Sequence, residues 1–144
     1  MTSTPVFIAH YEISGPHLDV DKLLPEVVHR EGSDVWHLGD VTEFGPYPAS
    51  GFRLPIYEGD SVTELDSAIV AFMQREELLL RTAYRLVGSV RGWDTQCELS
   101  TSVFVETGEP PVRVTFSPNL LGIAARMGIP LNVLAFHWER KDAT

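Results

Sequence analysis

The sequence has few of the residues that build cross-linked, metal-bound or membrane-spanning proteins. Cys97 is the only cysteine among 144 residues, which excludes an internal disulfide and a zinc site with several cysteine ligands. No apolar run approaches the roughly 18 residues of a membrane-spanning helix, and the start MTSTPVFIAHYEISG lacks the pattern of a signal peptide. We therefore expect a cytoplasmic protein that does not bind membranes.

Motifs of the common enzyme classes are also absent. The sequence contains no GxSxG, no P-loop, no GxGxxG, and no HExxH or HxH pattern. The histidines are scattered, and Cys97 falls in the apolar register of its strand, where a packed thiol is expected. We therefore predict no catalytic residue, no bound metal and no cofactor.

Basic residues are scarce in the first part of the chain. Residues 1–66 hold twelve acidic and three basic residues, whereas residues 67–144 hold eight of each, so the first part carries all of the formal net charge of -9. An acidic surface repels phosphate groups, so we expect neither nucleic acid nor an anionic membrane as a partner. A basic protein is the charged partner that this distribution favours. The alternative is that the acids serve only solubility.

The sequence does contain the pattern of one α+β domain that spans residues 1–144. The length fits a single core, and 44% hydrophobic with 22% charged residues is typical of a globular protein. Alternating apolar residues predict strands, and apolar residues at helical spacing predict helices. The predicted strands are 5–13, 51–59 (an edge strand because of Pro55), 95–105, 111–116 and 131–138, and the predicted helices are 62–87 and 118–127.

These elements predict a mainly antiparallel sheet with two or three helices packed on one face. Residues 111–116 are expected to form a hairpin with residues 95–105. Ser61 marks the start of the longest helix, and Ser117 marks the start of the last one. A polar stretch at residues 74–77 leaves open whether the longest helix is one helix or two jointed ones. A short additional helix is predicted after Asp19.

Five segments of the chain together resemble a known bacterial family. They are IAHYEISGPHLDVDKLL, WHLGD, GFRLPIYEGD, VTELDSAIVAFMQ and CELSTSVFVETGEPPVRVTFSPNLLGIAARMGIPLNVLAFHW. In these segments, which span nearly the whole chain, the sequence is similar to the bacterial domain of unknown function 4279 family. That family usually has a proline-containing stretch before its tryptophan-glycine segment, whereas VVHREGSDVWHLGD has none. The resemblance implies a soluble bacterial protein, and it points to no catalytic residue.

The segment from Gly32 to Gly51 is the most irregular part of the chain and holds the candidate functional residues. Its glycines and prolines favour turns over regular structure, apart from a short strand in VWHLGD. Aromatic residues in an acidic loop are typical of a protein-binding patch, so we predict a binding site there. Its predicted residues are Asp34, Trp36, His37, Asp40 and Glu43.

Two of these residues have more than one interpretation. His37 lies three residues from both Asp34 and Asp40, so these groups could form a metal site or an acid-base pair. Alternatively, His37 could be an exposed or hydrogen-bonded histidine in a turn. Trp36 could contact a partner protein as an interface anchor, or it could fold inward and hold the loop.

Three functions are consistent with these observations. The first is a small acidic protein-binding module, such as an immunity protein or inhibitor that neutralises a basic toxin. The second is a small-ligand-binding protein or an enzyme that uses a pocket near His37 and Asp40. The third is an accessory domain that forms a homodimer through a sheet edge or the long helix.

Overall fold

A computed structural model describes residues 4–22, 31–89 and 96–139 of the chain. Its strands are β1 (Val6–Gly15), β2 (Asp34–Trp36), β3 (Val41–Thr42), β4 (Gly45–Pro46), β5 (Ser50–Gly59), β6 (Gln96–Glu106) and β7 (Leu131–Trp138). Its helices are α1 (Val62–Arg75), α2 (Glu77–Ser89) and α3 (Pro118–Met127), and a 3-10 turn covers Val20–Lys22.

Five of the strands form one sheet in the order β2-β5-β1-β6-β7. Neighbouring strands run antiparallel, except that β6 and β7 are parallel. The short strands β3 and β4 form a separate two-stranded hairpin. The prediction of an α+β domain with a mainly antiparallel sheet is therefore confirmed.

The sheet has one apolar face and one more polar face, because side chains alternate along each strand. In β1, Phe7, Tyr11 and Ile13 are buried on the face that the helices cover. We call this the helix face and the opposite side of the sheet the outer face. Leu65 and Ile69 of α1 are buried in the same core. Removal of these apolar side chains from water stabilises the domain.

The long helical pattern is divided between two helices. Ser61 caps α1 by accepting a hydrogen bond from the backbone N–H of Glu64, as predicted. Helix α1 ends at Arg75 and α2 begins at Glu77, so the alternative of two jointed helices is correct. Ser117 caps α3. No helix in the described part of the chain has the length and hydrophobicity that a membrane crossing requires.

Residues 111–116 do not form the predicted strand. The edge of β6 that they were expected to occupy is paired with β7 instead. Pro110 and Pro111 have no backbone N–H, so the segment begins with residues that cannot donate to a sheet. Its apolar residues are half-buried and pack against the core: Val112, Val114 and Phe116. The alternation in this segment therefore reflects packing on the core and not strand pairing.

The strand β5 is not the edge strand that Pro55 suggested. It lies between β2 and β1 and pairs with both. The short β2 pairs only with residues 51–53, so on that side Pro55 lies beyond the paired segment. The register with β1 also shifts between Ala9 and His10, opposite Pro55. An internal strand thus accommodates the proline at a local irregularity.

Two shorter predictions have different outcomes. Of the strand predicted in VWHLGD, only Val35 and Trp36 belong to a strand, β2, which lies at one edge of the sheet. Of the short helix predicted after Asp19, the structure describes only the 3-10 turn Val20–Lys22. The rest of that prediction, up to Val27, lies outside the described residues.

Candidate functional site

The predicted binding residues lie at the β2 edge of the sheet. Asp34 and Trp36 are on the outer face, since they pair with Arg53 and Gly51 of β5. Val35 between them packs against the core on the helix face. After β2 the chain leaves the sheet, forms a hairpin and returns as β5.

Residues 37–47, which we call the acidic hairpin, are held by hydrogen bonds across the hairpin. The backbone N–H of Tyr47 donates to the carbonyl of Asp40 over 2.8 Å. At the tip, Thr42 pairs with Gly45, and the Thr42 hydroxyl donates to the Gly45 carbonyl over 2.8 Å. Gly45 has a φ of 109°, which favours glycine because it has no Cβ. The sequence therefore builds a defined hairpin there.

The tip of the acidic hairpin exposes apolar side chains beside acidic ones. Phe44 is 92% exposed and Val41 is 87% exposed. Asp40 and Glu43, which belong to the predicted binding set, are exposed beside them. Phe44 is one of the aromatic residues that favoured a binding patch in this segment, but it was not among the predicted binding residues. Its place between Glu43 and the turn residue Gly45 was the signal that could have identified it.

Trp36 packs within the molecule. Its ring stacks on Tyr47, with centroids 6.0 Å apart and planes inclined by 28°. The ring also lies over Gly51, where an added Cβ would be 2.8 Å from Cζ2 of the indole. Trp36 therefore holds the base of the acidic hairpin against the sheet, which supports the second of its two interpretations, and its ring remains partly exposed.

An open cavity of about 700 Å³ lies at the base of the acidic hairpin. Its walls are formed by Asp34, Val35, Trp36, Asp40, Val41, Tyr47 and Arg53. The structure thus brings together Asp34, Trp36 and Asp40 of the predicted set, whereas His37 and Glu43 do not line this cavity. Two aromatic rings and two carboxylates in one cavity suit a cationic group.

The guanidinium of Arg53 in the cavity wall is already paired. Its Nη2 donates to Glu12 Oε1 over 2.6 Å, and its Nε donates to the same oxygen over 2.9 Å. Asp34 lies opposite Arg53 on the neighbouring strand. Because the carboxylates of Glu12 and Asp34 flank the guanidinium of Arg53, the cavity as a whole remains acidic.

Polar residues continue from Arg53 across the outer face. Glu12 lies opposite Glu98 of β6, and Glu98 accepts a hydrogen bond from the Asn132 side chain of β7. Burial lowers the pKa of His10 in this row, and the charge of Arg53 lowers it further. The carboxylates of Glu12 and Glu98 raise this pKa by smaller amounts. The centre of the outer face therefore carries a row of polar side chains.

His37 is held by two carboxylates. Its Nε2 lies 2.8 Å from Asp21 Oδ1, and its backbone N–H donates to Asp40 Oδ2 over 2.8 Å. The hydrogen bond to Asp21 raises the pKa of His37 above its ordinary value, with a smaller opposing effect from desolvation. Sequence analysis missed Asp21, because nothing in the local pattern links the 3-10 turn to the hairpin.

Of the two acids that spacing grouped with His37, Asp40 contacts it and Asp34 does not. Asp34 lies on the outer face opposite Arg53, while His37 binds Asp21 and Asp40. Among residues 4–22, 31–89 and 96–139, no group of three or more His, Cys, Asp or Glu side chains is placed to hold a metal ion. The structure therefore favours the alternative interpretation of His37, a hydrogen-bonded histidine in a turn.

Cys97 packs on the helix face, as its apolar register predicts. Its Sγ lies 3.1 Å from the hydroxyl of the buried Tyr11. Burial raises the pKa of the Cys97 thiol, which keeps it in the weakly nucleophilic neutral form. Burial likewise raises the pKa of Tyr11 well above its usual value. This pair has a packing role.

Comparison of the chain with protein-family models, curated proteins and solved structures found no match. The resemblance to the bacterial domain of unknown function 4279 family stays a prediction from the sequence. An α+β sheet with helices on one face hosts many unrelated functions. The function is therefore inferred from the site itself.

Proposed function

We propose that this protein is a small cytoplasmic protein-binding module, of the immunity or inhibitor type, whose acidic hairpin docks on a basic partner protein. The observation that carries the proposal is the tip of that hairpin, where Phe44 and Val41 are exposed beside Asp40 and Glu43. Burying one phenylalanine side chain is favourable by about 2 to 3 kcal/mol. A partner that covers the tip gains this free energy.

The charges around the hairpin favour a basic partner. Asp34, Asp40 and Glu43 lie at the β2 edge, in the part of the chain that carries the whole net charge of -9. Acidic groups attract a basic surface over roughly 8 Å at physiological salt and speed its association. We expect these charges to determine the association rate and Phe44 to determine the lifetime of the complex.

The cavity at the base of the hairpin can receive one lysine or arginine side chain of the partner. The carboxylates of Asp34 and Asp40 would pair with that cation. The stacked rings of Trp36 and Tyr47 offer a cation–π contact beside them. Arg53 does not oppose this binding, since it is already paired on the outer face. An apolar tip beside a cation pocket is typical of an interface hot spot.

Binding kinetics test the proposal. The partner is recovered on immobilised wild-type protein from a lysate of the source organism, identified and purified, and its rates are measured at several salt concentrations. Phe44→Ala should speed dissociation at least about tenfold with little change in the association rate. The double variant Asp40→Asn, Glu43→Gln should slow association and flatten its salt dependence.

Matched variants on α2 provide the control. Leu78→Ala and Glu77→Gln also remove an exposed apolar side chain and an exposed acid, and they should leave both rates unchanged. An acidic partner would refute the proposal. So would rates that respond no more to the hairpin variants than to the α2 variants.

A second candidate function, binding of a small cationic ligand, is favoured by the size of the cavity. Its volume of about 700 Å³ falls within the roughly 300–1,000 Å³ of small-molecule sites. Asp40 lines this cavity but His37 does not, so the site supplies carboxylates without the histidine of the enzyme hypothesis. Calorimetric titration with free arginine and with spermidine separates the candidates. Micromolar binding that Asp34→Asn abolishes and Phe44→Ala leaves intact would favour the small ligand.

A further inference from the structure

The strand β7 lies at the edge of the sheet opposite to the acidic hairpin. The strand order ends at β7, so no strand of the described residues pairs with its outer side. Leu134, Phe136 and Trp138 on the outer face and Val133 on the helix face are each between 44% and 50% exposed. Within the described residues, this edge therefore presents backbone without a strand partner, together with apolar side chains on both faces.

Parallel pairing with β6 determines which backbone groups of β7 are free. The N–H of Leu99 donates to the carbonyl of Pro130, and the N–H of Thr107 donates to the carbonyl of Trp138. Because alternate residues of a parallel strand face the same neighbour, the even-numbered residues of β7 direct their polar groups toward β6. The odd-numbered residues Val133 to His137 direct theirs away from the sheet.

This strand lacks the features that keep an exposed edge from pairing. Natural edge strands are very short, bulged, or carry lysine or proline. The sequence LNVLAFHW has no lysine, arginine, acid or proline, and it pairs with β6 over all 8 residues without a register shift. Such a strand is suited to accept a further strand.

We propose that β7 pairs with β7 of a second copy of this chain, so that two five-stranded sheets join across a two-fold axis. The free backbone groups belong to odd-numbered residues, and an antiparallel pairing with Ala135 opposite Ala135 of the second copy satisfies them. In this register Leu134 lies opposite Phe136 of the second copy. The apolar side chains of the two edges then cover each other.

The charge distribution favours a second copy over a charged partner. The strand β7 has no charged residue beyond the titratable His137, whereas the acidic hairpin follows β2 at the opposite edge. In the joined sheet, nine strand spacings of about 4.8 Å would place the two β2 strands roughly 43 Å apart, which is several Debye lengths. The acidic hairpins of the two copies therefore do not oppose the pairing.

The apolar surface at β7 is large enough for a specific interface. Phe136 and Trp138 are each a little under half exposed and together offer roughly 150–200 Å² per copy, since aromatic side chains bury about 150–250 Å² each, and Leu134 and Val133 add to this area. With the backbone and flanking residues of both copies, the buried total reaches about 1,000 Å², the lower limit of a biological interface. Pairing through β7 is thus sufficient without a further contact.

The mass of the protein in solution tests the proposal. Sedimentation velocity at micromolar concentration should give twice the chain mass of 16.0 kDa. Leu134→Lys places a cation in the apolar contact and should weaken dimerisation at least about 100-fold, which leaves a monomer at the same concentration. Leu78→Lys changes another exposed leucine, on α2, and should remain a dimer.

Hydrogen exchange gives a second measurement that does not depend on a variant's stability. The amides of Val133, Ala135 and His137 should exchange more slowly as the wild-type concentration rises. A wild type that is monomeric at micromolar concentration would overturn the proposal, and protected edge amides in that monomer would show that the chain covers β7 itself. A dimer that survives both Leu134→Lys and Val133→Lys would also overturn it. Failure of the acidic hairpin to bind a basic protein would not affect the proposal that β7 forms a dimer.

Discussion

The chemistry of His37 depends on Asp21, which lies 16 positions earlier in the chain. Both side chains are accessible to water, so solvent screens the attraction between them. The hydrogen bond still raises the pKa of His37, because the carboxylate favours the protonated ring. At neutral pH His37 therefore offsets part of the negative charge of the acidic hairpin.

Asp21→Asn should lower the pKa of His37. In the folded protein this pKa lies above the ordinary 6.5, so the pair stabilises the fold fully below pH 6.5 and loses that effect as the pH rises through the folded pKa. NMR titration of the imidazole signals should give a midpoint above 6.5 in the wild type and a lower one in the variant. Asp40→Asn should lower it less, since Oδ2 of Asp40 is 3.8 Å from Nδ1. A wild-type midpoint at or below 6.5 would contradict this prediction.

Gly51 separates two groups that leave no room for a side chain. An added Cβ would lie 2.7 Å from the Cβ of Ser14 and 2.8 Å from Cζ2 of Trp36. Carbon atoms that are not bonded to each other normally stay about 3.5 to 4.0 Å apart. The close approach of β1, β2 and β5 at this point therefore requires glycine.

Gly51→Ala should lower the free energy of unfolding by about 2 kcal/mol or more, because β1 or the ring of Trp36 must move. Gly122→Ala in α3 is the matched control. Its Cβ would meet nothing closer than 3.6 Å, and alanine favours a helix, so this change should raise the free energy of unfolding by about 0.5 to 1 kcal/mol. Urea denaturation measures both, and changes of the same sign would contradict the prediction.

At the scale of secondary-structure elements, Asp66 and Ser117 join α1 to α3. The Ser117 side chain accepts a hydrogen bond from the backbone N–H of Leu120 and so caps α3. The backbone N–H and the hydroxyl of Ser117 both donate to the Asp66 carboxylate, over 2.7 Å and 2.9 Å. One serine therefore starts a helix and fixes its position against another.

Asp66→Ala and Ser117→Ala should each lower the free energy of unfolding by about 1 to 2 kcal/mol. Both remove the hydrogen bond between the Ser117 hydroxyl and the Asp66 carboxylate, so the double variant should lose less than the sum, by about 0.5 to 1.5 kcal/mol. Urea denaturation of the four proteins measures this coupling. Glu64→Ala, which removes only a hydrogen bond from Tyr57, should combine additively with Ser117→Ala. Additive effects of Asp66→Ala and Ser117→Ala would disprove the coupling.

At the scale of the whole molecule, the charged surface and the apolar surface lie at opposite edges of one sheet. The β2 edge carries the acidic hairpin, and the β7 edge exposes Leu134 and Phe136. Pairing through one edge leaves the other free. If both proposals hold, each dimer presents two acidic hairpins at its two ends.

Such a dimer should dissociate more slowly than a monomer from a surface that is densely coated with the basic partner. Rebinding of the second hairpin is then intramolecular, which raises the apparent affinity without a new contact. Leu134→Lys should dissociate at least about tenfold faster than the wild type at high coating density and equally fast at low density. Biolayer interferometry at two densities measures this. Equal dissociation at both densities would show that the hairpins bind singly.

The sequence by itself was sufficient for the α+β class, for the start of α1 at Ser61 and of α3 at Ser117, and for the acidic character of the β2 edge. These features depend on residues within a few positions of each other, because period, capping and local charge are local properties. The same local reasoning identified residues 32–51 as the most irregular segment of the chain.

Only the tertiary structure decided which distant segments meet. The alternation in residues 111–116 satisfied the pattern of a strand, yet β7 occupies that edge of β6 and runs parallel to it. Likewise, Trp36 turns inward onto Tyr47 and Gly51, and Phe44 is left exposed at the tip. Which strands pair and which aromatic side chains stay exposed depend on the fold of the whole chain, because the favoured fold buries much apolar surface and also pairs the backbone groups. A short window of neighbouring residues does not contain this information.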